Sequence, residues 1–353
     1  MKLTIFVLWG LIAFFAFWLK AIKVYNAKKY SIKAEKGIQE AKYITIGEIK
    51  QYIQIRGQSI SNPFIIMLHG GPGNNMAYYS YRWQTLLEHK YTIVHWDQRG
   101  CGNTYYSNKN AQKPTLELLL TDLEALVTYI CAEYKKEKVI IMGHSWGTFL
   151  GAVYSIKYPD KVEAYISIGQ MLDFKKSEQI SAQEAIRLAN IAGNHQQTQE
   201  LQQKLTLVMG FHKFDRQEAM YLLNFRQLKE KYLPAQYPKK MLSLRIFSPY
   251  MTFRDFKWMI AFDKLVETNK EIYQELLLKE LSLYNYALDY FVPVIIIAGE
   301  NDWTTPHTMA LKYFEDISAP YKKFITIKDA GHIPFLDKPE EFAETLLDAL
   351  HSL

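Results

Sequence analysis

The chain has 353 residues, of which 49% are apolar and 14% aromatic, and its formal net charge is +6. This composition excludes a disordered chain, and the length exceeds what one compact core needs, so one large α/β unit carrying an insertion is expected. Two cysteines, Cys101 and Cys131, are too few for a disulfide framework and lack the spacing of a metal site.

The first segment, LTIFVLWGLIAFFAFWL (Leu3 to Leu19), contains no charge. As a helix it reaches roughly 25 Å, enough to cross a thin bilayer. Lys2 precedes it, and Lys20, Lys23, Lys28, Lys29 and Lys33 follow it. No small-x-small cleavage site follows the apolar run, so residues 1–25 read as an uncleaved, single-pass N-terminal transmembrane helix and 26–40 as a basic linker. The lysine excess after the span favours the large domain in the cytoplasm. Residues 1–36 hold seven lysines against one acid, Glu35, so this region accounts for the whole net charge. The charge therefore points to a lipid bilayer rather than to nucleic acid.

KYITIGEIKQYIQIRG alternates apolar and polar residues and predicts a hairpin turning near Gly47 and Glu48. PFIIMLHGGPG and YTIVHWDQRGCGNT are apolar strands with glycine-containing exits; YYSYRWQTLLEHK between them predicts a helix. TLELLLTDLEALVTYICAEYKKEK has helical periodicity, VIIM reads as a strand buried on both faces, and TFLGAVYSIKYP reads as the helix after it. VEAYISIGQ is a further strand. From about Met171 to Tyr290 strand signals nearly vanish, and helices are predicted at SAQEAIRLANIAG, QTQELQQKLTLVMG, RQEAMYLLNFRQLKEKY and KEIYQELLLKELSLYNYAL. Alternation resumes with VPVIIIAGEND and YKKFITIKDAGH, and PEEFAETLLDALHSL closes the chain. This order predicts a mostly parallel sheet, formed by residues 41–170 and 291–353, with a helical cap inserted at 171–290.

In GHSWG, Ser145 stands between Gly143 and Gly147 where a strand turns into a helix. Glycines let backbone crowd that turn, and the serine hydroxyl projects above the sheet edge, the G-x-S-x-G nucleophile elbow. A serine needs a base, and in this architecture the partners follow in the order Ser, acid, His. His69, His89, His95 and His144 precede the serine, His195 and His212 lie in the cap, His307 opens a helix and His351 is nearly terminal. His332, in the loop after the strand KFITI, is the base this order selects. Glu300 and Asp302 follow the strand VIIIAG; Asp302, farther past it, is favoured as the acid that orients the imidazole. The backbone N–H of Trp146, and that of Gly71 in HGGPG, are candidates for the oxyanion hole.

HGGPG, DQRGCGNT, GHSWGT, AGEND and DAGH in this order resemble the α/β-hydrolase fold, and most closely its proline iminopeptidase (prolyl aminopeptidase, peptidase S33) branch, over roughly residues 40–173 and 290–350. The resemblance implies Ser145, Asp302 and His332 as a triad, with Gly71 and Trp146 as oxyanion donors. Asp97 and Arg99 are expected to brace the loop beside the site. Family aminopeptidases hold the substrate amino group with cap carboxylates. The usual Trp–Glu cap motif is not recognisable here, and Glu178, with Glu184 behind it, is the substitute. Tyr78, Tyr79 and Trp83 are candidates to line the acyl pocket, with Trp258 and Phe262 covering it.

The expected activity is a serine aminopeptidase releasing N-terminal residues from a small peptide. An esterase or lipase would share every catalytic residue and take an ester substrate. A hydrolase-like binding protein would lack a triad member, and none is missing. Epoxide hydrolases and dehalogenases of this fold carry aspartate where Ser145 stands. No phosphate loop or metal cluster is present in the sequence, so no cofactor is expected.

Overall fold

A computed structural model describes residues 2–279 and 281–353; side chains of the first helix are described from Trp9 onward, Ile12 excepted. That helix, α1 (Lys2–Lys29), leads to β1 (Ile38–Ile46) and β2 (Ile49–Gly57). The two strands form an antiparallel hairpin whose turn residues, Gly47 and Glu48, have φ of 53° and 63°, so the predicted turn is where the chain reverses. The basic linker is shorter than expected, because α1 extends to Lys29 and β1 begins at Ile38. Met1, within the expected anchor, lies outside the described residues.

Next come β3 (Phe64–Leu68), α2 (Tyr81–Gln84), β4 (Thr92–Asp97), α3 (Gly102–Ser107), α4 (Leu116–Tyr134), β5 (Val139–His144), α5 (Trp146–Lys157) and β6 (Val162–Ile168). The cap contributes α6 (Phe174–Ile191), α7 (His195–Met209), α8 (Arg216–Lys229), α9 (Met241–Ile246), α10 (Phe253–Met259), α11 (Phe262–Thr268) and α12 (Lys270–Leu278). β7 (Val294–Gly299), α13 (His307–Asp316), β8 (Lys322–Ile327), α14 (Pro334–Asp337) and α15 (Pro339–His351) complete the chain.

The eight strands form one sheet in the order β1-β2-β4-β3-β5-β6-β7-β8. β2 pairs antiparallel with β1 and β4, and every other pairing is parallel. This is the α/β-hydrolase architecture. The central strands divide their side chains between two cores, as period-two geometry requires. Ile66 and Ile141 join Leu123 of α4 and Phe149 of α5 on one face, whereas Ile65 and Ile140 join Trp83 and Leu346 of α15 on the other.

Two predicted helices are shorter than their periodicity indicated. The first is reduced to a 3₁₀ turn at Ala77–Tyr79 and the four residues of α2, with Trp83 packed against Phe335 and Phe342. The other stops at Leu278, because the chain beyond it closes the neck of the cap: Ser282 bridges Asp173, and the Leu283 N–H donates to Leu172 O at 2.9 Å.

α1 is long and apolar enough to cross a membrane, by length and composition. Trp9, Phe14 and Phe17 are 66%, 68% and 73% exposed. Among its described residues, Trp18 packs edge-on against Phe247, and Asn26 Nδ2 donates to Phe247 O at 2.9 Å.

Candidate active site

The loops leaving β5, β7 and β8 converge on one cleft of about 550 Å³ beneath the cap. At the end of β5, Ser145 has φ 54° and ψ −121°, a conformation that strains a residue with a Cβ. It persists because its neighbours fix it. The Ser145 N–H donates to Ile168 O at 3.0 Å, and its carbonyl accepts from Thr148 N and Oγ1 at 2.8 and 2.6 Å. The flanking glycines are required: a Cβ on Gly143 would lie 2.3 Å from Gly147 O, and one on Gly147 would lie 2.2 Å from Leu68 O.

His332 follows β8, and its Nδ1 lies 2.9 Å from Asp302 Oδ2, beyond β7. Asp302 is fixed in turn by the N–H groups of Thr304 and Thr305 at 2.9 Å each and by Thr305 Oγ1 at 2.9 Å. Burial raises the Asp302 pKa, but the His332 ring and these donors outweigh it and hold the carboxyl below its ordinary value. Glu300 instead accepts from Asp329 N at 3.1 Å, so the structure brings Asp302, not Glu300, to His332. Ser145 and His332 line the same cleft; among the described residues the serine hydroxyl has no hydrogen-bond partner, and such contacts tighten when substrate arrives. His144 Nε2 lies 2.9 Å from His332 O. Burial pushes the His144 pKa down to about 3, so it is neutral and donates from Nε2 to that carbonyl.

Gly71 has φ 115° and lines the cleft, and Trp146 begins α5, whose first-turn N–H groups have no helical acceptor. The DQRG loop does brace this region, though not as a charged pair. Gln98 N donates to His69 Nε2 at 3.2 Å, and Gln98 Oε1 accepts from Trp146 Nε1 at 3.2 Å. Arg99 pairs with buried Asp122 at 2.8 Å. Asp97 Oδ2 accepts from Asn103 N and Nδ2 and from Asn75 Nδ2, and both amides also donate to Asp255 of the cap.

The cap expectations need correction. Tyr78 does not line the cleft; it is buried in the core, and its neighbour Tyr79 lines the cleft instead. Glu184 lies away from the cleft, paired with Arg187 at 2.7 Å. Glu178 does line it, but both its oxygens are taken: Oε1 accepts from Arg226 Nε and Oε2 from Lys229 Nζ, each at 2.7 Å. Burial raises the Glu178 pKa, yet the two cations prevail and pull it to about 2. Trp83 is core; Phe262 lines the cleft, and Trp258 clamps the cap to the glycine loop through Nε1 to Gly73 O at 2.8 Å.

Sequence reasoning missed Gln236. From the cap its carbonyl accepts from His332 N at 3.0 Å, and its side chain ties Trp303 N and Asn301 O at 2.7 and 3.0 Å, so one residue steadies both the histidine and the acid loops. No local pattern signals such a contact. The Thr304–Thr305 turn under Asp302 was readable, since an aspartate two and three residues before N–H donors is an Asx turn.

A family model described as alpha/beta hydrolase fold matches residues 63–339. The chain belongs to the alpha/beta hydrolase fold family. This hydrolase is similar to a probable aminopeptidase, YbaC, of Bacillus subtilis, at 27% identity over 89% of this chain and 97% of the relative. It is 22% identical to a proline iminopeptidase of Lactobacillus helveticus, over 85% of this chain and 93% of that one. Among solved structures, VinJ superimposes with a TM-score of 0.65 at 20% identity, covering 89% of this chain and 99% of VinJ.

Proposed function

We propose that this protein is a serine hydrolase acting through an acyl-enzyme, with aminopeptidase action on short peptides as its leading activity and α1 as its membrane anchor. The observation that carries the mechanism is the 2.9 Å contact between His332 Nδ1 and Asp302 Oδ2 at a cleft that also holds Ser145 on its strained elbow. Asp302 keeps the His332 proton on Nδ1, leaving Nε2 free to accept the Ser145 proton as Oγ attacks the substrate carbonyl. Negative charge develops on the carbonyl oxygen, and the Gly71 and Trp146 N–H groups are the donors available to it. His332 then protonates the leaving group, and water activated by the same ring releases the acyl group. The peptidase reading is supported by the relatives named above, which share almost the full length of the chain.

A second reading, an esterase or lipase, is favoured by one observation. Glu178 is the one carboxylate among the described lining residues, and both its oxygens already face cations. A panel of aminoacyl p-nitroanilides and short-chain p-nitrophenyl esters on wild type and Ser145→Ala separates the two. Amide turnover that vanishes in the variant supports the aminopeptidase; ester turnover alone supports the esterase; turnover on neither overturns both.

The anchor proposal is supported by the exposed apolar side chains of α1 and by the lysines that follow them. With the lysine-rich end inside, the catalytic domain lies in the cytoplasm.

A further inference from the structure

The wall of the cleft carries more positive charge than its neighbours neutralise. Arg226 and Lys229, three apart on α8, share the single carboxylate of Glu178, and Lys229 also donates to Ser181 Oγ at 2.6 Å. Arg245 on α9 lines the same cleft and, among the described residues, has no carboxylate within ion-pair distance. Its guanidinium lies 5.3 Å from the centre of the Tyr79 ring, and its Nε is buried with no hydrogen-bond partner. The cleft is therefore lined by two arginines against one acid that is already satisfied twice over. The half-buried guanidinium of Arg245 faces the cleft without a counter-ion, and the planar fork of arginine suits a carboxylate or phosphate. An ammonium group would meet net repulsion in the same place. The rest of the lining, including Met171, Leu223 and Phe262, is apolar.

We propose that Arg245, supported by Arg226, is a specificity-determining anion site, and that the enzyme selects small substrates bearing a carboxylate or phosphate beside an apolar portion. The proposal deepens the serine-hydrolase reading, on which it rests for the position of the scissile bond. It also makes a peptide substrate and an ester substrate share one requirement. In a dipeptide the charge is the free C-terminal carboxylate; in a lipid ester it is the phosphodiester.

The test uses the full-length protein in detergent and three matched pairs: Ala-Ala against Ala-Ala amide, p-nitrophenyl hemisuccinate against p-nitrophenyl butyrate, and lysophosphatidylglycerol against monoacylglycerol. The expected result is at least a tenfold higher kcat/KM for the charged member of one or more pairs, carried mainly by KM. Arg245→Gln should lower that ratio at least tenfold, and Arg245→Lys should restore part of it, with thermal unfolding confirming that both variants fold. Which pair responds identifies the source of the charge. Calorimetric binding of the same compounds to Ser145→Ala reads the anion site without turnover. Arg245-dependent binding of the charged members, with wild type hydrolysing none of the six compounds, would end the serine-hydrolase reading and leave the anion site standing. Turnover abolished by Ser145→Ala, but with equal preference within every pair or a ratio unmoved by Arg245→Gln, would overturn the anion site alone.

Discussion

Ser145 and its flanking glycines form the most constrained part of the molecule, and their constraints predict distinct outcomes. Ser145→Ala removes the nucleophile while leaving the N–H to Ile168 O and the carbonyl to Thr148 in place. Turnover should fall by about 10⁴-fold or more with the thermal midpoint nearly unchanged. Gly147→Ala does the opposite. Its Cβ would meet Leu68 O at 2.2 Å, backbone that cannot swing away, so the variant should lose about 3 kcal/mol or more in denaturant unfolding. The elbow was legible in the sequence because both requirements are local: glycines two residues either side of a serine report how close the chain passes to itself. Asp302 and His332 were legible for another reason, since the order of strands fixes which loops share a sheet edge. The role of Glu178 was not. Its partners Arg226 and Lys229 lie 48 and 51 residues away, and a carboxylate read alone carries no sign of whether its oxygens are already occupied.

At the scale of elements, two polar clusters with different pH behaviour hold the cap, one joining its own helices and one joining it to the sheet. In the first, Glu178 of α6 ties down α8 through Arg226 and Lys229. Glu178→Gln leaves buried Lys229 and half-buried Arg226 without a counter-charge, and the cost should be about 3 kcal/mol, seen as early loss of cap helices in hydrogen exchange. In the second, Asp97 at the end of β4 and Asp255 of α10 share the amides of Asn75 and Asn103. Burial, then the neighbouring Asp255 charge, push the Asp97 pKa up to about 8 against the pull of these donors. Burial likewise raises that of Asp255, and the Tyr52 phenol and Cys101 thiol also face the pair. A carboxyl whose folded pKa is raised keeps its proton while the unfolded chain has lost it, so stability falls as pH rises from about 4 to about 8. Buried His69, His95 and His144, with pKa values lowered by burial to about 4, 3 and 3, act in the opposite direction but finish by their ordinary value near 6.5. Between pH 6.5 and 8 the aspartate pair therefore acts without them. Asp97→Asn can keep its Oδ2 contacts, and its thermal midpoint should fall less than that of wild type across this interval; equal slopes would contradict the assignment. Long elements such as α4 and α6 were readable from periodicity, although α6 already begins at Phe174, ahead of the predicted start at Ser181. The short helices α9 to α11 were not, because contacts such as Trp258 to Gly73 O, rather than an apolar repeat, hold them.

For the whole molecule, charge and apolar surface separate along the chain. Residues 1–36 carry the entire net charge, and among the described side chains of α1 Trp9, Leu11, Phe14 and Phe17 are exposed. Its end is different. Tyr30 O accepts from Arg56 and from Tyr250 OH, and Phe247 receives both Trp18 and Asn26, so α1 and the chain just after it are tied to the strap that follows α9 and Arg245. Deleting residues 2–21 should release the protein from membranes while keeping it folded, whereas deleting residues 2–36 should also lower the thermal midpoint by several degrees, because Asn26 and Tyr30 are lost. Sedimentation with vesicles checks the first effect and thermal unfolding the second. The central claim, chemistry through Ser145 with His332 and Asp302, is tested most directly by acid-quenching the protein during turnover of its best ester or amide substrate and locating the added mass. An acyl group on the peptide containing Ser145, accumulating when Asp302→Asn slows its release and absent in Ser145→Ala, is the predicted result. Turnover that proceeds undiminished in Ser145→Ala, with no adduct on that peptide, would contradict it.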